Sequence, residues 1–260
     1  MPELIVEPCG EGVVRLRLDR PEKRNALSLS LRVALADAID DLVVDRSVRC
    51  LIIAGSPAAF ASGGDLQEMA ERSVHDVAHD SAYNGSRRLW RALRDCPKPI
   101  IAAVRGFALG GGCELMLHAD LVIAGQGARI GQPEVTVGVA PGSGGIARFV
   151  RTAGRVRALR WLMTGELMPA ETAERLGLVS EVVDDEAVED RALALARRIA
   201  ALPPLAVQAI KECAALAEDQ PLATALALER KTFELLYTSE DRAEGVAAFL
   251  ERRTPQFKGR

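Results

Sequence analysis

Two glycine-rich segments and two glutamates are the residues of this chain whose types and spacing suit chemistry. The segments are Ala61-Ser62-Gly63-Gly64-Asp65 and Ala108-Leu109-Gly110-Gly111-Gly112-Cys113-Glu114, and each precedes a predicted helix. Glycines at a helix start expose backbone N–H groups where the helix dipole also favours negative charge. The structural alternative is a tight strand-to-helix turn. In the first segment it is also a helix cap, since Asp65 and Glu68 have capping-box-like spacing. Glu114 lies three residues after Gly111, so within one helical turn its carboxylate and that amide face the same space. Glu134, in Gly131-Gln132-Pro133-Glu134, stands before the turn Pro141-Gly142-Ser143-Gly144-Gly145 in a mostly uncharged stretch. Carboxylates in apolar surroundings have raised pKa values and serve as acids and bases. Taken alone, each glutamate also has a purely structural reading, Glu114 in a tight strand-to-helix turn and Glu134 as a surface loop residue. Together with the glycine loops they suggest an oxyanion hole beside an acid/base pair.

Other chemistries have thinner support. His75 and His79 are four apart on a predicted helix, but no H-E-x-x-H pattern surrounds them, and an exposed polar face accounts for both. His118 is the third and last histidine, and neither a G-x-S-x-G elbow nor a Walker A sequence occurs. Cys113 among the glycines reads as a small buried residue at a close contact rather than a nucleophile. The five cysteines are scattered with no C-x-x-C pair, which favours a reducing compartment and no zinc site.

The elements that must position these groups alternate along the first two thirds of the chain. Residues 14–18 alternate apolar and polar as a half-buried strand does, and Leu31, Leu35, Ile39 and Leu42 recur at helical spacing between Ser28 and Asp45. Residues 48–54 read as a buried strand, Leu89 and Leu93 as a helix ending at Pro97-Lys98-Pro99, and 100–104, 121–124 and 178–183 as further strands. This alternation predicts an α/β fold with a mostly parallel sheet. From about Asp185 onward only helical periodicity remains, broken at Pro203-Pro204 and Gln220-Pro221. We therefore expect an α/β core over residues 1–184 and a helical region over 185–260, long enough to supply a subunit interface. With 260 residues, 48% hydrophobic and 27% charged, the composition is that of a globular protein. A net charge of -3 predicts no nucleic-acid partner. Apolar runs far shorter than the roughly 20 residues of a membrane span predict no membrane insertion. The first residues match neither a signal nor a transit peptide, so a cytoplasmic location is expected.

Several motifs in order resemble the enoyl-CoA hydratase/isomerase (crotonase) superfamily, and especially its hydratases. They are Arg20-Pro21-Glu22-Lys23-Arg24-Asn25-Ala26-Leu27, residues 60–69, Ala103-Val104-Arg105-Gly106-Phe107-Ala108 running into residues 110–114, residues 131–134, residues 141–145, Leu162-Met163-Thr164-Gly165 and residues 173–179. The resemblance extends from about Leu18 to the C-terminus. It implies a spiral of ββα units with a helical trimerisation region, assembled as a homotrimer or dimer of trimers. It also implies an acyl-CoA substrate, with coenzyme A part of the substrate and no separate cofactor or metal. By the same resemblance the N–H groups of Gly64 and Gly111 receive the thioester oxygen, and Glu114 and Glu134 take the positions of the acid/base carboxylates. Arg24, Ala26, Ala61, Gly63, Asp65 and Leu66 would line the coenzyme A path. Gly110, Pro133 and Gly142 would complete the acyl site, and Lys258 would reach a neighbouring subunit's ligand. The implied reaction is reversible addition of water to a 2-trans-enoyl-CoA, giving a 3-hydroxyacyl-CoA. An isomerase of the same superfamily and a catalytically silent acyl-CoA-binding scaffold are the alternatives. Two positions depart from the hydratase pattern. Gly64 stands where alanine is common, which keeps the N–H but adds backbone entropy. Gln67 stands where lysine is common, leaving Arg24 and other basic residues to meet the nucleotide.

Overall fold

The computed structural model describes residues 2–79 and 87–260. Its strands fall into two sheets, and successive stretches of chain add one strand to each. β1 (Leu4–Pro8), β2 (Val13–Leu18), β3 (Cys50–Ala54), β5 (Ile100–Val104), β7 (Leu121–Gly125) and β10 (Glu181–Val183) form a six-stranded sheet in that order. It is parallel except for the β1–β2 pair. β4 (Ala59–Ala61), β6 (Phe107–Leu109), β8 (Arg129–Gly131) and β9 (Met168–Pro169) form the second sheet. The wholly apolar runs of β3 and β5 are buried at every position, as central parallel strands covered on both faces must be.

Helix α1 (Leu29–Val44) starts where Ser28 Oγ accepts the Leu31 N–H at 3.1 Å, an N-cap of the usual chemistry. Its stripe of Leu31, Leu35 and Ile39 is fully buried. Its last carbonyls are closed by the buried Lys98, whose Nζ donates to Leu42 O and Asp45 O, a cation at the negative end of the dipole. The short α2 (Leu66–Glu71) and α3 (Val74–Ala78), then α4 (Arg88–Asp95), precede β5. α5 (Gly111–Leu117) follows β6, and α6 (Gly145–Ala153), α7 (Arg155–Thr164) and α8 (Ala170–Arg175) close the α/β part. Between the sheets lies the larger core, including Leu16, Leu31, Ile53, Phe60, Ile100 and Leu115. The opposite face of the first sheet is covered by α9 (Val188–Ala200), whose Val188, Ala192, Ala196 and Ala200 repeat every four residues and pack on Cys50, Ile52, Ile101 and Ile123.

Three helices follow: α10 (Pro204–Ala217), α11 (Leu222–Leu236) and α12 (Glu240–Glu251). The breaks stand at Pro203-Pro204 and Pro221, as the sequence predicts. α10 and α11 bury no residue, and Ile210, Leu222, Leu235, Phe249 and Leu250 are each more than two-thirds exposed. Lys211 Nζ to Asp120 Oδ2 at 2.8 Å ties α10 to the core. No single helix among the described residues is long and apolar enough to cross a membrane.

The predicted strand over 178–183 shortens to Glu181–Val183, with Leu178 and Val179 buried in the approach. β1 and the second sheet carry no sequence signal. Two- and three-residue strands are shorter than one detectable period, and β1 is mostly exposed at the sheet edge.

Candidate active site

β4 and β6 pair in parallel, Ala59 with Phe107 and Ala61 with Ala108, so both glycine segments leave the second sheet side by side at its carboxyl end. The turns they make need glycine at two places. Gly63 has φ +112° and Gly110 has φ +51° with ψ -123°, a combination closed to residues with a Cβ. Gly111 then opens α5, where its N–H has no intrahelical acceptor. A methyl group on Gly111 would stand 3.5 Å from Gly64 N and 3.4 Å from Leu27 Cδ1. The two backbone amides therefore share one small space. A methyl on Gly112 would collide with the Ala61 carbonyl, so α5 lies directly on the end of β4.

Glu114 is one turn into α5 and 4% exposed. Its Oε1 accepts the N–H of Ser143 at 2.6 Å and of Gly145 at 3.0 Å, so the turn before α6 fixes the carboxyl group. Burial raises its pKa, and these two donors act in the opposite direction. Glu134 sits in a short 3-10 helix (Pro133–Val137). A methyl on Gly110 would be 3.1 Å from its Oε1, which places this carboxylate against the second glycine segment. Burial pushes its pKa up to about 7, and the nearby charge of Glu114 adds to the rise. The second carboxylate is thus held beside the first one's helix.

Sequence reasoning missed the residues that hold this pair in place. Gln132 is fully buried, and with its amide nitrogen turned toward Glu134 it donates to Oε1 at 2.9 Å and Oε2 at 3.3 Å. It also touches the position a Gly145 side chain would occupy. One amide therefore lies against both the Glu134 carboxylate and the turn that holds Glu114. Asn25 is likewise buried. Its Nδ2 donates to Ala59 O at 2.8 Å and Phe60 O at 3.2 Å, and its Oδ1 accepts Arg20 N at 2.9 Å, binding the 20–27 loop to β4. Gln132 stands between Gly131 and Pro133, two residues before Glu134, which was a signal for it; Asn25, between Arg24 and Ala26, had none.

The loop it holds runs along the first glycine segment: Ser62 N donates to Arg24 O at 3.0 Å and Leu27 N to Gly63 O at 2.7 Å. Arg24 is exposed, its guanidinium carbon 5.9 Å from the Phe107 ring centroid, and Ala26 lies behind it. Asp65 caps α2 by accepting Gln67 N at 3.1 Å and pairs with Arg20 at 3.2 Å. The anticipated capping box does not form. Glu68 Oε2 instead accepts Leu29 N at 2.8 Å, because the α1 start passes alongside. Lys23 Nζ donates to Gln67 Oε1 at 2.9 Å, bringing a cation to the position where Gln67 lacks one. Leu66 is exposed at the start of α2, Ala61 is buried at the end of β4, Pro133 opens the 3-10 helix and Gly142 lies in the exposed turn before Ser143. The structure brings all these groups together except Lys258. That residue packs with α12, and none of the hydrogen bonds of the C-terminal tail reaches the glycine segments or the glutamates among the described residues.

His75 and His79 stack on each other at 4.0 Å and belong to no cluster of metal-ligating side chains among the described residues. Burial pushes the His118 pKa down to about 4, and its Nδ1 lies 2.8 Å from Glu114 O, so it ties the helix carbonyl as a neutral ring. Cys113 is buried with a raised pKa, which keeps it a thiol.

A stability consequence follows for Glu134. Its pKa rises on folding from 4.5 to about 7, so between those values the folded state holds more protons than the unfolded state and stability falls as pH rises. Glu134→Gln removes the effect. The melting temperature of the variant relative to the parent should therefore increase from pH 4 to pH 8 and level off above about 7. An equal difference at both ends, by calorimetry, would refute the placement of this carboxylate.

The family model "Enoyl-CoA hydratase/isomerase" matches residues 9–260. A 2,3-dehydroadipyl-CoA hydratase of Escherichia coli K12 is 42% identical over 260 residues, covering all of both chains. A probable enoyl-CoA hydratase of Rhizobium meliloti is 40% identical over 99% of this chain and 98% of that one. Among solved structures, an enoyl-CoA hydratase of Bacillus anthracis superposes with a TM-score of 0.94 at 34% identity, over 99% of this chain and 100% of the other. One from Geobacillus kaustophilus superposes at 0.93 with 41% identity, over 99% and 98%. Matched along nearly its whole length by sequence and by fold, the chain belongs to the enoyl-CoA hydratase/isomerase family.

Proposed function

We propose that this protein is an enoyl-CoA hydratase, adding water reversibly across the 2,3 double bond of a 2-trans-enoyl-CoA to give the 3-hydroxyacyl-CoA. What supports the proposal is that two carboxylates with raised pKa, Glu114 and Glu134, lie near one another, with Glu134 against the second glycine segment, where a methyl on Gly111 would stand 3.5 Å from Gly64 N. Attack of water at the β carbon moves charge onto the thioester oxygen. Preorganised N–H donors then bind the transition state more strongly than the ground state. One carboxylate takes the proton of the water while the other delivers a proton to the α carbon, so two protonation states must coexist in the pair. The pair titrates as a unit. Glu114 Oε1 is occupied by two backbone donors, so its chemistry runs through Oε2.

The scheme draws on no metal or redox cofactor. Arg24, Ala26 and the 61–66 segment form the coenzyme A path within the spiral core of residues 1–184, and the enzyme works in the cytoplasm. The helical region of 185–260 forms a homotrimer, or a dimer of trimers, through the apolar side chains that α10–α12 leave exposed. Light scattering at micromolar concentration should accordingly give three or six times the chain mass, and a monomer would remove this part of the proposal.

The test of function is loss of enoyl thioester absorbance, with product mass measured over short to long acyl chains. The panel includes 2,3-dehydroadipyl-CoA, the ester for which the Escherichia coli relative is named. A product heavier by one water is expected. A product of unchanged mass with a moved double bond makes the chain an isomerase, and binding without turnover makes it a scaffold.

A further inference from the structure

The two amides of the site differ in what surrounds them. At Gly111 the direction a side chain would take is filled by protein, since a methyl there would stand 3.4 Å from Leu27 Cδ1 and 3.5 Å from Gly64 N. A methyl on Gly63 would lie 3.2 Å from Leu109 O, and one on Gly110 would lie 3.1 Å from Glu134 Oε1 and 3.7 Å from Gly63 Cα. Gly64 is the exception in this cluster. A methyl on it would meet nothing within 4 Å among the described residues, and its φ is outside the left-handed region. The backbone accepts a Cβ here without strain, so the fold does not require this glycine. The missing methyl leaves a gap on an exposed residue whose N–H is one of the two donors. Cβ is two bonds from that nitrogen, so a thioester oxygen accepting the N–H at about 2.9 Å brings its own neighbours against the gap. Those neighbours are the sulfur, which carries no further substituent, and the α carbon, which can carry one.

We infer that the gap at Gly64 sets the substrate range at the α carbon: the enzyme hydrates 2-alkyl-2-enoyl-CoA thioesters, seating the alkyl branch where a residue with a Cβ would place its methyl. This rests on the hydratase reading above and names a substrate class for the same site. Water's oxygen bonds C3, a proton bonds C2, and the π bond between them is consumed. C2 therefore turns from planar to tetrahedral, and its branch swings out of the plane of the thioester. Room beside the α carbon is needed as the transition state forms, and an unbranched substrate makes no use of it.

The test uses the full-length enzyme, as parent and as Gly64→Ala, with 2-butenoyl-CoA and its 2-methyl and 2-ethyl derivatives. The quantity read is the ratio of kcat/KM for each branched thioester to that for the unbranched one. One methyl group in an apolar pocket discriminates by about 10- to 200-fold. Gly64→Ala should lower the ratio by that factor, with the 2-ethyl ester falling at least as far as the 2-methyl. A general disturbance of the N–H donor would instead slow all three substrates alike, and an unchanged ratio overturns the inference. So does a parent enzyme that hydrates 2-butenoyl-CoA but neither branched ester. Inhibition constants of the saturated butanoyl-, 2-methylbutanoyl- and 2-ethylbutanoyl-CoA, which bind without reacting, should show the same loss of branched-ligand preference in Gly64→Ala. They decide the matter if turnover by the variant is too slow to measure. A parent enzyme that hydrates none of the three overturns the hydratase reading itself.

Discussion

Glu114→Gln and Glu134→Gln each lower kcat by roughly 10²–10⁴-fold, the usual range for a general acid or base, while binding of the coenzyme A thioester largely survives. Both side chains keep their size and their neighbours, so the loss falls on proton transfer. At Glu114 the amide must still accept the N–H groups of Ser143 and Gly145 through one oxygen, which the retained carbonyl allows. The double variant falls well short of the product of the two losses, because in the proposed mechanism both carboxylates act on one water. Single and double variants are compared by steady-state rate, with circular dichroism to confirm folding and isotopically labelled water followed into product. Isomerase chemistry gives a different pattern, in which one substitution abolishes turnover, the other spares it and no label enters. Full hydration activity in Glu134→Gln would end the two-carboxylate mechanism.

The second large effect comes from a residue with no side chain. In Gly112→Ala the new methyl meets the carbonyl and Cβ of Ala61, with only backbone and a short side chain to yield. Overpacking of this kind costs about 1–3 kcal/mol. Relief requires α5 to move off β4, which also separates Gly111 N–H from Gly64 N–H, and a displacement near 1 Å is worth about 10²-fold in rate. Soluble Gly112→Ala protein should therefore have lower thermal stability and at least that loss of kcat. Gly64→Ala is the matched control. A methyl there has nothing within 4 Å, and Gly64 is not in the left-handed region. The N–H stays, and the stiffer unfolded chain adds about 0.4–1 kcal/mol of stability. Its kcat should stay close to the parent's. Gly112→Ala with parental activity would contradict the close approach of α5 to β4.

The parts of this molecule legible in the sequence are those that repeat or that break a repeat. α1 shows its apolar stripe and its Ser28 cap, β3 and β5 their unbroken apolar runs, and the last helices their proline starts. Glu114 and Glu134 were visible as charges in uncharged company, beside glycines whose backbone must bend. The supports were not. Nothing in spacing shows that the amides of Ser143 and Gly145 close on Glu114, since that contact joins two turns of chain brought together only by the sheets. Gln132 and Asn25 are polar residues whose burial depends on tertiary contacts. Asp65 and Glu68 show a partial error: Asp65 caps α2 as the spacing suggests, but the Glu68 half of the box gives way to the approach of Leu29. Lys258 was named from resemblance alone.

The pairing of β4 with β6 also bears on how activity returns during refolding. The two amide donors lie on consecutive windings of the chain and become neighbours only when a parallel pair closes across an intervening helical crossover. Such closures are entropically expensive and kinetically late compared with local helix formation. The first sheet can collapse around Leu16, Ile53 and Ile100 before the short strands of the second sheet register. Far-ultraviolet signal should therefore recover ahead of turnover, because competence depends on three-residue strands rather than on the bulk of the core.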